Sequence, residues 1–337
     1  MILVGDVGGT KTYLAIFEPA NLDSPLVQAT LFSPRYSSLE GLVGEFLSYH
    51  KYDIEAAAFG IAGYVHDGTV TTPNLPWTVK ARNIADTIGC QNVALVNDVE
   101  ANAYGLELVS PADLVDLNPE GVERDGNRAV ISPGTGLGQA GIFAMGRQHL
   151  PFACEGGHTD FAPRTELESE LMLYLHSKLG RVSVERVVSG MGLANIYDFL
   201  RDSGRGQPPS EIEFGEASAK SRLISEMAQD GKSELCSHAL NMFVSLLGAE
   251  AGNLALKMMA VGGVYLGGGI PPKLINKLKE GSFLESFLNK GRMRPLLEKI
   301  PVKVIMTDRT AMLGALVVAK GLLIQKHDVE IEKAAVN

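Results

Sequence analysis

Cysteine is scarce in this sequence: Cys90, Cys154 and Cys236 are the only three in 337 residues, and no CxxC pair occurs. An odd, widely spaced set excludes a disulfide framework and argues against a structural zinc site, so reduced thiols in a cytosol are expected. Positive charge is in deficit, with 30 Lys and Arg against 39 Asp and Glu, a net charge of −9. That balance disfavours a broad surface for nucleic acid or an anionic membrane, although local basic sites remain open. No long uncharged apolar run is present. The most apolar stretch, residues 254–270, is broken by Lys257 and by repeated glycines, so no membrane span is expected. Met1 leads directly into ILVGD, without the basic and apolar regions of a secretory signal. The expectation is a cytoplasmic protein with no membrane and no nucleic-acid partner.

What is present suits a globular chain. The composition is 45% hydrophobic and 20% charged, enough to fill ordinary cores. A length of 337 residues favours two domains, at roughly 100–200 residues each. Periodicity gives strands near residues 1–5, 12–18, 26–33, 54–61 and 93–96, with helices at 39–49, 79–88 and 99–108. Residues 110–127, rich in Pro, Asp, Asn and Gly, mark a boundary. Beyond it the opening pattern restarts with a strand at 128–132, a glycine-rich turn at 133–138 and a second strand at 139–145. Helical patterns follow at 166–179, 184–202 and 235–259. Strands at 261–266 and 302–306 and helices at 271–280 and 312–323 complete the reading.

The stretch GDVGGTKT, residues 5–12, misses the P-loop pattern by one position, with Thr10 in place of the last glycine. Context rules out the P-loop as well. A P-loop turn opens a helix, whereas TYLAIFE (residues 12–18) alternates as a strand. AVISPGTGLGQAGIFA (residues 129–144) has the same plan of strand, Gly/Thr-rich turn and strand. Two such hairpins suggest two domains of duplicated architecture, each offering backbone N–H groups to a polyphosphate. Glycine lets those groups approach phosphate closely, Thr10 and Thr135 add hydroxyl donors, and Asp6 suits a magnesium ion held through water. A tight β-hairpin turn explains the same glycines.

Other segments carry candidate chemistry beside plain structural alternatives. Asn97 and Asp98 follow a buried strand, at the sheet edge where ligands of open α/β sheets collect. Asp98 suits a general base for a hydroxyl, but Asn and Asp are also favoured at helix starts. Glu155 and His158 flank two glycines in FACEGGHTDFAP, a set suited to adjacent sugar hydroxyls or to nothing more than a polar turn. Their spacing is not that of a helical zinc site. Glu185 follows Ser183 at a helix start, where capping alone explains an acid. Gly267, Gly268 and Gly269 join a strand to a proline-led helix, leaving room for a flat ligand or forming a simple connection.

Taken in order, GDVGGT, NLPW, NDVEANAYG, SPGTGLG, EGGHTDFAP, VERVVSG and GGVYLGGGI resemble the bacterial glucokinase family of the hexokinase-type, actin-like ATPase superfamily. The resemblance runs from GDVGGTKTYLA to DRTAMLGAL, almost the whole chain, and its specificity lies in the order and spacing of the motifs. It implies an α/β, two-domain actin-like ATPase (ribonuclease H-like) fold with an interdomain cleft. The domains would be a small one at 1–109, completed by about 301–324, and a large one at 110–300 with helical insertions, leaving a tail at 325–337. It implies phosphorylation of glucose at its 6-hydroxyl by ATP with Mg²⁺, and a homodimer through the helical second domain. Asp98 would take the hydroxyl proton. Asn74, Asn97, Glu155, His158 and Glu185 would hold the sugar, and Asp6, Gly8, Gly9 and Thr10 would face phosphates and metal. Gly134, Thr135, Gly136 and Gly138 would form the second phosphate loop, with Gly267, Gly268 and Gly269 near the adenosine. Three departures stand out: Ser132-Pro133 precedes the second loop, IAG (residues 61–63) lacks a cysteine-proline pair, and the zinc motif of the related ROK group is absent. A kinase for another hexose or amino sugar and a non-catalytic sugar sensor on the same fold are the competing readings.

Overall fold

The run of Ile, Leu and Val at the start leaves β1 (Ile2–Val7) buried on both faces, and it forms the middle of the first sheet. It pairs antiparallel with β2 (Lys11–Phe17), which pairs antiparallel with β3 (Val27–Phe32). On its other side β1 runs parallel to β4 (Ala56–Ile61), and β4 runs parallel to β8 (Val93–Asn97), giving the order β3-β2-β1-β4-β8. The computed structural model describes residues 1–146, 148–212 and 217–336, and for 217–218 and 325–336 only the backbone. The chain divides into two units, Met1–Ser110 with Thr307–Asn337, and Pro111–Met306.

Helices cover both faces of the first sheet. On one, α1 (Leu39–Tyr49) starts where the Ser38 hydroxyl accepts from Gly41 N, and it buries Leu39, Leu42, Val43 and Phe46. α2 (Ala81–Ile88) joins it and ends at Gly89 in the left-handed region. On the other face the C-terminal helix (Thr310–Val336) packs Met312, Ala315, Leu316 and Ala319 against Ile2, Val4, Ala15 and Ala58. α3 (Asp98–Gly105) lies beside that helix with glycines at the crossing. Between β4 and α2 stands a small sheet of β5 (Val65–His66), β6 (Thr69–Thr71) and β7 (Thr78–Lys80). Strands of two or three residues are too short to show alternation, so the sequence pattern gave no sign of them. Val79, expected in a helix, belongs to β7.

The second unit repeats the plan. β10 (Arg128–Pro133), β11 (Leu137–Met145) and β12 (Gln148–Cys154) form an antiparallel set, and β10 runs parallel to β13 (Gly263–Leu266). β14 (Val302–Ile305) follows in parallel and β9 (Leu114–Asp116) closes the edge antiparallel, for the order β12-β11-β10-β13-β14-β9. Leaving β9 aside, strands one to five of each sheet stand in the same order, so the duplication hinted at by two hairpins extends to whole sheets. α4 (Glu166–Leu179), α5 (Gly190–Asp202), α6 (Ala217–Gln229) and α7 (Glu234–Met258) supply the helical bulk of this unit. Among the described residues α7 alone is long and apolar enough to cross a membrane, and 78% of its apolar window is buried within the fold.

Three boundaries differ from the sequence expectation. Residues 301–306 do not complete the small unit: β14 hydrogen-bonds to β13 and β9 in the second sheet, and the return to the first unit begins at Thr307. The tail expected at 325–337 continues the C-terminal helix as far as Val336. The helix expected from 184 is interrupted, with a short 3-10 turn at Val184–Arg186 before α5.

Candidate functional site

In the first unit, the β1–β2 hairpin turns through Gly8, Gly9 and Thr10, closed by Gly8 N donating to Lys11 O at 3.0 Å. Ser33 braces it from beneath. Its hydroxyl donates to Gly8 O at 2.8 Å and meets Thr12 Oγ1 at 2.9 Å, while Ser33 N donates to Thr10 O. The side chain of Thr10 is exposed at the tip. Asn74 lies against the same turn, since a Cβ on Gly9 would stand 2.7 Å from Asn74 Cβ. The loop carrying Asn74 is pinned by Thr72 Oγ1 donating to Leu75 O and by Trp77 Nε1 donating to Tyr36 O.

Parallel pairing of β1, β4 and β8 aligns their C-terminal ends and brings Asp6 towards Asn97 and Asp98. Asn97 caps α3, its Oδ1 accepting from Val99 N at 2.9 Å and Glu100 N at 3.3 Å, and its Nδ2 donates to Gly63 O at 3.0 Å. The helix-cap alternative is therefore realised for Asn97, and one amide N–H remains for a ligand. Asp98 opens α3 with Oδ1 accepting from Val99 N at 3.0 Å, and it stays partly exposed. Asp6 is pushed up to about 7, first by desolvation and then by the carboxylates of Asp98 and Asp308. Beside it lies a cavity of about 320 Å³ lined by Tyr13, Thr30, Asp308, Arg309 and Met312 among others.

Asp308 is a residue that sequence reasoning passed over. Its signal was available: an acid two residues before a helix that follows an apolar strand, at a sheet's C-terminal edge. Among the described residues no three His, Cys, Asp or Glu side chains converge closely enough to hold a metal directly. A divalent ion bridged by water fits the set better. A cation there would favour the ionised form of Asp6.

In the second unit the β10–β11 hairpin turns at 134–136, closed by Gly134 N donating to Gly136 O at 2.8 Å, with Thr135 exposed. Glu185 sits on this turn. Its Oε2 accepts from Leu137 N at 3.0 Å, and a Cβ on Gly136 would stand 2.6 Å from the same oxygen. Ser183 makes no side-chain cap to the 3-10 turn that follows it, so capping does not account for Glu185. Glu155 and His158 both project from the turn after β12, with His158 Nε2 3.8 Å from Glu155 Oε2 and both side chains well exposed. That turn is tied to the Glu185 segment by Val184 N donating to Thr159 O and by Arg181 Nη2 donating to His158 O. The unit thus brings Glu155, His158 and Glu185 onto neighbouring turns beside the 134–138 loop.

Gly267, Gly268 and Gly269 follow β13 and pass close over β10. Gly267 N donates to Ile131 O at 2.9 Å, a Cβ there would meet Ser132 Oγ at 2.7 Å, and Gly268 has φ +76°. At Gly268 a Cβ would also stand 2.8 Å from Pro133 O, so only glycine suits that position. Ser132 Oγ is buried without a hydrogen-bond partner, and Gly269 is open to solvent.

Comparison with known proteins follows this geometry. Residues 3–322 match the family model described as Glucokinase. A glucokinase of Nostoc sp. is 38% identical over 96% of this chain and 99% of its own length. One from Synechocystis sp. is 38% identical over 94% and 97%. The crystal structure of a glucokinase from an Antarctic psychrotroph superposes with a TM-score of 0.83 at 29% identity, over 95% of this chain and 98% of that one.

Proposed function

We propose, from the premise that the chain belongs to the glucokinase family and has its α/β actin-like ATPase fold, how its residues divide the work of the reaction. The activity is phosphorylation of glucose to glucose 6-phosphate with ATP as donor. Asp98 accepts the proton of the 6-hydroxyl as that oxygen attacks the terminal phosphorus. It stands at the start of α3, partly exposed and fixed by its own helix. Asn74, Asn97, Asp98, Glu155, His158 and Glu185 hold the sugar hydroxyls. A set of acceptors and donors discriminates between epimers, because a misplaced hydroxyl leaves some of them unpaired once the sugar covers them.

The two hairpin turns hold the phosphates. Gly8, Gly9 and Thr10 present N–H and hydroxyl donors, and so do Gly134, Thr135, Gly136 and Gly138. Gly267, Gly268 and Gly269 receive the adenosine. Asp6, with Asp98 and Asp308 near it, would hold Mg²⁺ through water, and the ion would supply charge neutralisation at the phosphates. Phosphoryl transfer leaves little covalent work for a protein, so positioning and charge stabilisation carry the rate. The enzyme works in the cytoplasm, as a homodimer and without membrane or nucleic-acid partners.

The observation that carries this reading is a glycine-threonine hairpin in each unit beside carboxylates, Asp6 with Asp98 in the first and Glu185 in the second. A donor-by-acceptor matrix on purified protein tests it. ATP with glucose should give the highest kcat/KM among nucleotide, ADP and polyphosphate donors and glucose, mannose, fructose and glucosamine acceptors. A clear preference for another sugar, or sugar binding without transfer to any acceptor, would overturn it.

A further inference from the structure

The turn bearing Glu155 and His158 rests on a side chain that the reaction itself does not use. Residue 139 of β11 pairs with Cys154 of β12, so the chain leaving β12 folds back over Gln139. A Cβ on Gly156 would collide with Gln139 Oε1, and one on Gly157 would collide with Leu137 O. The glycines of EGGH therefore let the turn lie directly on the Gln139 amide and on the backbone of the 134–138 loop.

Which face of that amide meets the turn is set from far below. Gln139 is 2% exposed, and its Nε2 donates to Glu250 Oε1 at 2.9 Å. Glu250, on α7, is 3% exposed, and its Oε2 accepts from Asn253 Nδ2 at 3.0 Å. Asn253 Oδ1 in turn accepts from Lys290 Nζ at 2.6 Å, and Lys290 also donates to Ala249 O. An ammonium only donates and a carboxylate only accepts. Lys290 thus fixes Asn253, Asn253 and Glu250 agree, and Glu250 obliges Gln139 to point its N–H downward and its oxygen at Gly156. A buried carboxylate is a poor source of stability compared with an apolar residue of like size, so fixing orientation is the better account of it.

We propose that Gln139 and Glu250 are a positioning pair that sets the height and orientation of the Glu155–His158 turn for the sugar. Neither touches the substrate. The inference rests on the reading of that turn as sugar-binding given above.

The test uses the full-length enzyme with steady-state kinetics in both substrates and thermal melting as a check on folding. In Gln139→Glu two carboxylates face each other. In the double variant Gln139→Glu with Glu250→Gln, an oxygen again meets Gly156 and every partner finds its complement. Gln139→Glu should raise KM for glucose by about tenfold or more, the size expected for an unpaired buried group, with KM for ATP changed by less than about twofold. The double variant should return KM for glucose to within about threefold of the parent. If Gln139→Glu does not fold, Gln139→Met keeps the volume, removes the amide and should show the same selective rise. Equal shifts in both KM values, no shift, or a folded double variant without rescue would overturn the pair's role. Glu155→Gln is run alongside: a normal KM for glucose there removes the sugar-site reading and this inference with it. A raised value there with an unaffected Gln139→Met removes the inference alone.

Discussion

At the scale of single residues, Glu185 shows how one carboxylate serves two neighbouring turns. It accepts from Leu137 N on the 134–138 loop and lies beside the turn of Glu155 and His158. Gly136→Ala would put a Cβ 2.6 Å from its Oε2, so the carboxylate must swing away and leave Leu137 N without that partner. We expect Gly136→Ala to raise the KM for glucose and for ATP together, by about tenfold each, which steady-state kinetics would read directly. Glu155→Gln should raise the glucose value alone. Local pattern offered Glu185 only as a helix cap, and its sugar-binding role came from the family resemblance alone. A hydrogen bond to a loop 48 positions away is invisible to local pattern, whereas Asn97 as a cap was legible because capping is local. Asp308 had a local signal, but its partner Asp6 lies at the other end of the chain, so their proximity is not legible in the sequence.

At the scale of elements, the closest packing in the first unit is between α3 and the C-terminal helix. A Cβ on Gly314 would collide with Ala101 O, and one on Gly105 would collide with Thr310 O. Backbone meets backbone there, so nothing flexible can give way. Gly314→Ala should force the helices apart and lower stability by about 1–3 kcal/mol or more, against the slight gain alanine brings to an unencumbered helix. Urea unfolding would show it as a lower midpoint, and Gly321→Ala, with nothing within 4 Å, is the matched control. Long elements were legible in the sequence: the expected 166–179 helix is α4, and the two glycine hairpins fall where their strands alternate. The small sheet of β5 to β7 was not, because its strands are shorter than any period can reveal. β12 was hidden by Pro151, which interrupts the strand pattern.

At the scale of the whole molecule, both units follow one sheet plan, and each carries one glycine-threonine hairpin. The plan was legible because two hairpins repeat in the sequence. The membership of β14 was not, because a four-residue strand pairs equally well on paper with either sheet.

Stability should also report the buried polar relay of the second unit. Burial, with Arg164 and Lys257 nearby, lowers Lys290 from 10.5 to about 8, and Glu250 opposes them. Between those two values the unfolded chain holds a proton that the folded one has lost, so stability from this group rises with pH across that window. Below about 8 both states are protonated and the contribution is flat. Subtracting the unfolding free energy of Lys290→Met from that of the parent should give a difference that grows from pH 8 to 10; a flat difference would contradict the burial of its charge.

Asp98 carries the central claim, and Asp98→Asn tests it most directly. The measurement is glucose binding by titration calorimetry together with turnover in a coupled assay on the same preparation. Loss of the base alone should leave the glucose Kd within about threefold of the parent while kcat falls by about 10²–10⁴-fold. A kcat near that of the parent, with glucose bound as before, would contradict the assignment.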